Sequence, residues 1–154
     1  MNIAIVDDIA AERALLRSRL ERQLSRRNIQ ANLLEYETGE AFLSSCAKLQ
    51  FAVLFLDIYM NGVNGIETAK QFRSMDARCL LIFTTTSTDH ALEGFRVRAM
   101  HYLVKPYTEE MISDLIDEIL ARLPSTERYM TLKLNGTEVP LPFSRFIYAE
   151  HFSH

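Results

Sequence analysis

Phe51-Ala52-Val53-Leu54-Phe55-Leu56-Asp57 decides the fold. Six apolar residues run without a polar break and then meet a carboxylate. A strand with one wet face alternates, so an unbroken apolar run of this length belongs to a strand covered on both sides, as in the middle of a parallel sheet. Cys79-Leu80-Leu81-Ile82-Phe83 repeats the pattern. Shorter runs at Ile3 to Val6, Leu33 to Tyr36 and Tyr102 to Val104 complete a set of five strands, separated by amphipathic stretches. The clearest helix spans Thr108 to Leu123, where Ile112, Leu115, Ile116, Ile119, Leu120 and Leu123 recur at helical spacing. Thr108 caps it, and Glu109 and Glu110 suit the positive end of its dipole. Leu16, Leu20 and Leu24 give the first helix a similar seam, with Arg13, Arg17 and Glu21 on its solvated face. Five strands alternating with five helices predict an open, doubly wound α/β domain over residues 1–123.

After this domain the pattern changes. Residues 124–129 read as a linker around Pro124 and Ser125. From Thr131 to Val139 the chain alternates around Asn135-Gly136, a strong hairpin signal. Pro140 and Pro142 confine the returning strand to a sheet edge or a bulge. Arg145 to Glu150 reads as a third strand. Two or three strands without a covering helix are too few for an independent core, and residues 130–154 offer no more than these.

The chain has 154 residues, 48% of them hydrophobic, and a formal net charge of −3. It therefore lacks the overall basic field that draws proteins to nucleic acid or anionic membranes. The N-terminus has no basic lead into a long apolar segment, and no run approaches the roughly 20 apolar residues that cross a bilayer. A cytoplasmic protein without membrane contact is expected. Cys46, in an expected helix, and Cys79, in an expected strand, read as buried free thiols.

The chemistry gathers where strands end. Asp7 and Asp8 follow the first strand and Asp57 ends the third. In a flavodoxin-like sheet of order 2-1-3-4-5 these two strands flank the topological switch point, beside which ligand crevices form. Three carboxylates then share one crevice. At about 5 Å and an effective dielectric near 20, each pair repels by roughly 3 kcal/mol. Something positive must sit among them, and an all-oxygen set with few protein ligands suits Mg²⁺. The fourth strand ends in Thr84-Thr85-Thr86-Ser87, and Lys105-Pro106 follows the fifth. A carboxylate nucleophile, a metal clamp, a hydroxyl and a fixed cation are what in-line phosphoryl transfer requires.

Asp7-Asp8, Leu56-Asp57-Ile58-Tyr59-Met60, Gly65, Thr85, Tyr102 and Lys105-Pro106, in this order and spacing, resemble the receiver domains of two-component response regulators. The resemblance covers Ile3 to about Leu123 and implies a flavodoxin-like (CheY-like) five-stranded parallel sheet. It makes Asp57 the phosphoacceptor, with Asp7, Asp8, Asp57 and the backbone carbonyl of Tyr59 holding Mg²⁺. Thr85 and Lys105 bind the phosphoryl oxygens, and Thr85 and Tyr102 form the switch. The Lys105-Pro106 bond is expected to be cis. A sensor histidine kinase is the implied partner, with homodimerisation through the fourth helix, fifth strand and fifth helix. The tail resembles the opening of a LytTR (AlgR/AgrA-type) DNA-binding domain, so transcription control is implied through a complete output domain, with little DNA binding by this chain alone. Asn61 stands where many relatives have proline, and Thr86 where alanine is common.

Other readings are weaker. A phosphohydrolase forming an aspartyl-phosphate needs an acid two residues after the nucleophile, and Tyr59 stands there. No G-x-x-x-x-G-K-[ST] loop is present, and the turn after the first strand has no glycine. A switch protein is expected rather than an enzyme with turnover. The alternative is a non-phosphorylated receiver-like interaction module. Gly62 and Gly65 serve turn geometry, Thr88 caps the fourth helix, and His90 and His101 read as surface or helix-end residues. His151 and His154 offer no more than adventitious metal binding.

Overall fold

The computed structural model describes residues 1–87, 89, 95–124, 129–134 and 137–142. Two compact units divide the chain, Met1–Arg122 and Leu123–His154. In the first, β1 (Asn2–Val6), β2 (Asn32–Tyr36), β3 (Val53–Asp57), β4 (Leu80–Thr85) and β5 (His101–Val104) form one parallel sheet in the order β2-β1-β3-β4-β5. The helices described are α1 (Ala10–Arg26), α2 (Gly39–Ser45), α3 (Gly65–Met75) and α4 (Glu109–Arg122). The last is the helix expected fifth in the sequence.

The unbroken apolar runs become the central strands. Every residue of β3 is buried, because β1 and β4 pair with it on its two edges and helices cover both faces. Ala4, Val6, Leu54, Leu56, Leu81 and Phe83 share one face with Phe42 of α2 and Ala69 and Phe72 of α3. By strand alternation Ile3, Ile5, Val53, Phe55 and Ile82, all buried, take the other face. There α1 and α4 pack together, with Leu16, Leu20, Leu24, Ile112, Leu115, Ile116 and Ile119 buried. Covering a sheet in this way leaves its strand ends as the place where polar chemistry can gather.

Local signals hold where they were read. Thr108 Oγ1 accepts the Met111 N–H at 3.2 Å, capping α4. Asn64, a cap that the sequence reading did not single out, caps α3 by accepting the Glu67 N–H at 2.9 Å. Differences are small and physical. Phe51 and Ala52 precede β3, although the Ala52 N–H already reaches Asn2 O at 2.9 Å. Cys46 closes α2 and is only half-buried, whereas Cys79 is buried immediately before β4. His101 opens β5 instead of lying at a helix end. Among the described residues, no helix is long and apolar enough to cross a membrane.

In the second unit β6 (Tyr129–Leu134) and β7 (Thr137–Pro142) pair antiparallel, from Tyr129 opposite Pro142 to Leu134 opposite Thr137. Both are edge strands of a two-stranded sheet, which is where Pro140 and Pro142 are tolerated. Several expectations lie outside the described residues: the fourth helix, the Thr88 cap, His90, most of the linker, the Asn135-Gly136 turn, the strand from Arg145, and His151 and His154.

Candidate functional site

β1 and β3 are adjacent and parallel, with Val6 opposite Leu56, so Asp7 and Asp57 leave the sheet at the same edge. Asp7, Asp8 and Asp57 each present a carboxylate oxygen within 4.8 Å of the others. Asp7 and Asp57 are buried and Asp8 is half-buried. This is a cluster that water alone does not neutralise.

Lys105, delivered by β5, supplies the countercharge. Its Nζ lies 2.7 Å from Asp7 Oδ2, 3.8 Å from Asp57 Oδ1 and 4.0 Å from Glu12 Oε2. The Lys105-Pro106 peptide is cis, as the sequence suggested. One ammonium among three aspartates leaves the site electron-rich. Asp57 shows the result: its pKa is pushed up to about 6, chiefly by burial, against the attraction of Lys105. Asp7 and Asp8 add repulsion, while a hydrogen bond from the Tyr59 backbone works the other way.

Each aspartate is held differently. Asp7 Oδ1 accepts the Ile9 N–H at 2.8 Å, which fixes its carboxylate across the start of α1. Asp8 Oδ2 accepts two donors from one residue, the Asn61 N–H at 2.9 Å and Asn61 Nδ2 at 2.7 Å. Neither side chain caps α1, whose N-cap is Ile9 with no side-chain bond. Asp57 is positioned by the backbone around it. The Ile58 N–H bonds Thr84 O at 3.2 Å, and the Gly65 N–H bonds Ile58 O at 3.0 Å. Gly65 is there because nothing larger fits: a Cβ would lie 2.0 Å from the Asp57 carbonyl oxygen. Gly62 instead serves φ, at +85°.

The remaining candidates sit one step away. Thr85 ends β4 with no exposed surface, and its Oγ1 donates to Ser87 O at 2.8 Å and accepts the Ser87 N–H at 3.2 Å. Its hydroxyl is thus engaged within its own loop. Tyr102 is half-buried, its ring 5.3 Å from that of Phe83. Phe83 pairs with Tyr102 and Thr85 with Val104, so Thr85 and Tyr102 lie on one face of the sheet, two register positions apart. Tyr59 is 45% exposed beside Asp57. An open hollow of about 460 Å³ lined by Asp8, Ile9, Ile58, Tyr59, Met60, Asn61 and Asn64 gives access to this edge.

Two participants escaped the sequence reading. Glu12 reaches Lys105 because it lies in the first turn of α1, a placement its spacing from Asp8 permits. Asn61 stands out in the sequence only as a departure from a family pattern, although an amide four residues beyond Asp57 is the signal that finds it. The donor set fits Mg²⁺: three clustered carboxylates plus the nearby backbone of Tyr59 are hard oxygens, few enough to leave positions for water.

Comparison with known proteins bears on the family and the fold. The family described as "Response regulator receiver domain" matches residues 3–117. The chain is 33% identical over 135 residues to the sensory transduction protein LytT of Oceanobacillus iheyensis, covering 86% of this chain and 54% of that protein. It is 35% identical over 118 residues to the positive alginate biosynthesis regulatory protein of Pseudomonas aeruginosa, covering 75% and 46% respectively. The chain spans about half the length of the curated relatives it matches. Among solved structures, the response regulatory domain of protein mrkE from Klebsiella pneumoniae matches with a TM-score of 0.67 at 23% identity, over 79% of this chain and 96% of that one. The response regulator TrrA from Thermotoga maritima, in complex with Mg(2+)-BeF, gives 0.66 at 24%, over 77% and 98%. At these identities the two structures speak for the fold.

Proposed function

The chain belongs to the response regulator receiver domain family, and from that premise we propose that Asp57 accepts a phosphoryl group from a sensor histidine kinase in a Mg²⁺-dependent reaction. The observation that carries this reading is a buried carboxylate, Asp57, 3.8 Å from the ammonium of Lys105 and within one cluster with Asp7 and Asp8. Receiver domains are phosphoacceptor switches of two-component systems and not classical enzymes, so one transfer per signal is the expected chemistry.

Asp57 attacks phosphorus through one carboxylate oxygen, the P–N bond to the kinase histidine breaks, and the electron pair returns to the imidazole. No general base is needed once Asp57 is ionised. With its pKa near 6, roughly nine-tenths of the protein carries the carboxylate at pH 7. Lys105, seated between Asp7 and Asp57, would turn part of its charge toward the phosphoryl oxygens. Asp7, Asp8, Asp57 and the Tyr59 carbonyl would hold Mg²⁺, which neutralises the carboxylates and polarises the phosphoryl oxygens when bound. Thr85 and Tyr102 would carry the change from the site, Thr85 by exchanging its loop partner for a phosphoryl oxygen.

We propose further that the protein regulates transcription, as the names of some relatives say of those proteins, and that it acts in the cytoplasm through a LytTR-type output domain, which β6 and β7 would begin after residues 1–123 and a linker at 124–129. Dimerisation on activation fits the surface around β5 and α4. Phe95 is 85% exposed there, beside Arg96, Arg98 and Arg122. Light scattering with and without beryllofluoride tests dimerisation, and an unchanged mass removes it. The main test is mass spectrometry after incubation with acetyl phosphate and Mg²⁺. Wild type gains one phosphoryl group and Asp57→Asn gains none. Equal labelling of the variant would refute Asp57 as the acceptor.

A further inference from the structure

Asn61 brings both of its donors to one atom. The backbone N–H and the side-chain Nδ2 reach Asp8 Oδ2 at 2.9 and 2.7 Å. Asp8 lies in the loop after β1 and Asn61 in the loop after β3, so these bonds tie two loops together across the crevice. A proline at this position has no N–H and no side-chain donor, and could make neither bond. Two N–H donors fill the in-plane lone pairs of Oδ2 and leave Oδ1 with its accepting capacity. Asp8 is the least buried of the three aspartates, so it is the one whose carboxylate most needs fixing.

We propose that Asn61 is a positioning residue for the divalent-cation site: it saturates Asp8 Oδ2 and holds the carboxylate so that Oδ1 serves the cation alongside Asp7 and Asp57. The inference rests on the phosphoacceptor reading of the site. Hydrogen bonds to the non-coordinating oxygen of a ligating carboxylate orient it and are worth about 10- to 100-fold in metal affinity where such partners have been removed. Asn61 contributes through both bonds, and a side-chain truncation removes only one of them, so the lower end of that range applies.

The test is a calorimetric titration of Mg²⁺ into wild type and Asn61→Ala, with thermal melts in EDTA as the folding control. The variant should bind Mg²⁺ about 10-fold more weakly while melting like wild type. A dissociation constant within twofold of wild type, or a tighter one, overturns the proposal, since it would make Asn61 a bystander or a competitor of the cation. A second measurement uses wild type alone. In ¹⁵N spectra the Asn61 side-chain amide should keep its hydrogen-bonded shift and slow exchange when Mg²⁺ saturates the site, and release of the amide overturns the proposal as well. If acetyl phosphate still labels Asp57 when these results go against Asn61, only the clamp has failed. A wild type that binds no Mg²⁺ ends both the clamp and the reading beneath it.

Discussion

Replacing Asp57 with asparagine should stabilise the cation-free protein while abolishing phosphorylation. Asp57 has its pKa raised from 3.8 to about 6, with burial the largest cause and Lys105 already counted against it. An acid whose pKa is higher folded than unfolded binds protons better in the native state. Stability is therefore fully present below about pH 4 and is lost as pH rises through about 6. Two pH units correspond to about 3 kcal/mol at most. Although Asp57 is only 4% exposed, its carboxylate lies at a strand end where water screens part of the interaction, so about 2 kcal/mol is the expected penalty at pH 8. Asparagine keeps the shape and carries no charge. Urea denaturation in EDTA should place Asp57→Asn about 2 kcal/mol above wild type at pH 8, with the gap closing toward pH 4. Mg²⁺ at ten times its dissociation constant should then raise wild type by about 1.4 kcal/mol and the variant by less. A variant equal to or less stable than wild type at pH 8, or a gap independent of pH, would refute the electrostatic account of this crevice.

Lys105→Met removes the partner that Asp7 holds at 2.7 Å with both side chains largely buried. It should cost about 3 kcal/mol at neutral pH in denaturation and slow acetyl phosphate labelling; unaltered labelling would show the ammonium to be dispensable. Gly65→Ala forces a Cβ to within 2.0 Å of Asp57 O and 2.9 Å of Ile58 Cα, both backbone atoms. The shift should cost at least about 2 kcal/mol, and a variant within measurement error of wild type would mean the loop relaxes freely. Arg73 donates through Nε to Val97 O at 2.7 Å and through its terminal nitrogens to Cys79 O at 2.8 Å, Asp76 O at 3.2 Å and Arg98 O at 3.3 Å. Arg73→Ala should lose about 3 kcal/mol, and Arg73→Lys should recover little, because one ammonium cannot span four carbonyls; full recovery by lysine would reduce the role to charge.

The sheet was legible because burial on both faces writes itself into β3 and β4 as unbroken apolar runs, which no half-exposed strand tolerates. Asp7, Asp57 and Lys105 were legible for a related reason: each is the first ionisable residue to end an apolar strand or to follow one, and Asp8 adjoins Asp7, so the topology gathers them. Their common place at the switch point needed the strand order, which came from resemblance and not from the residues. What side chains do with their free atoms was not legible. The engagement of Thr85 by Ser87 depends on how the loop turns within two residues. The contact of Asn61 with Asp8 depends on two loops, 53 residues apart in the chain, meeting at hydrogen-bond distance. Cys46 escaped for a simpler reason, since it falls at the C-terminal end of a short helix and is only half-buried there.

Charge at the crevice explains why a cation and a movable hydroxyl belong to the same reading. Three clustered carboxylates against one ammonium leave two negative charges in a buried place. Phosphorylation of Asp57 would replace its single charge with about −1.5 to −2, and Lys105, committed to Asp7 at 2.7 Å, cannot neutralise both partners at once. A divalent cation held by the aspartates would supply the missing charge. It would not supply a donor for every phosphoryl oxygen, and the hydroxyls that end β4 are those of Thr84 and Thr85, both buried. For Thr85, giving up its bond to Ser87 O costs about 1 kcal/mol, and a charge-assisted bond to a phosphoryl oxygen returns about 1.5 to 3. The difference, roughly 0.5 to 2 kcal/mol, is a bias of a few-fold to about 30-fold. Such a bias tips an equilibrium that already exists and is too small to create a new state. On the proposed reading, Tyr102, on the same sheet face and packed on Phe83, would respond to it.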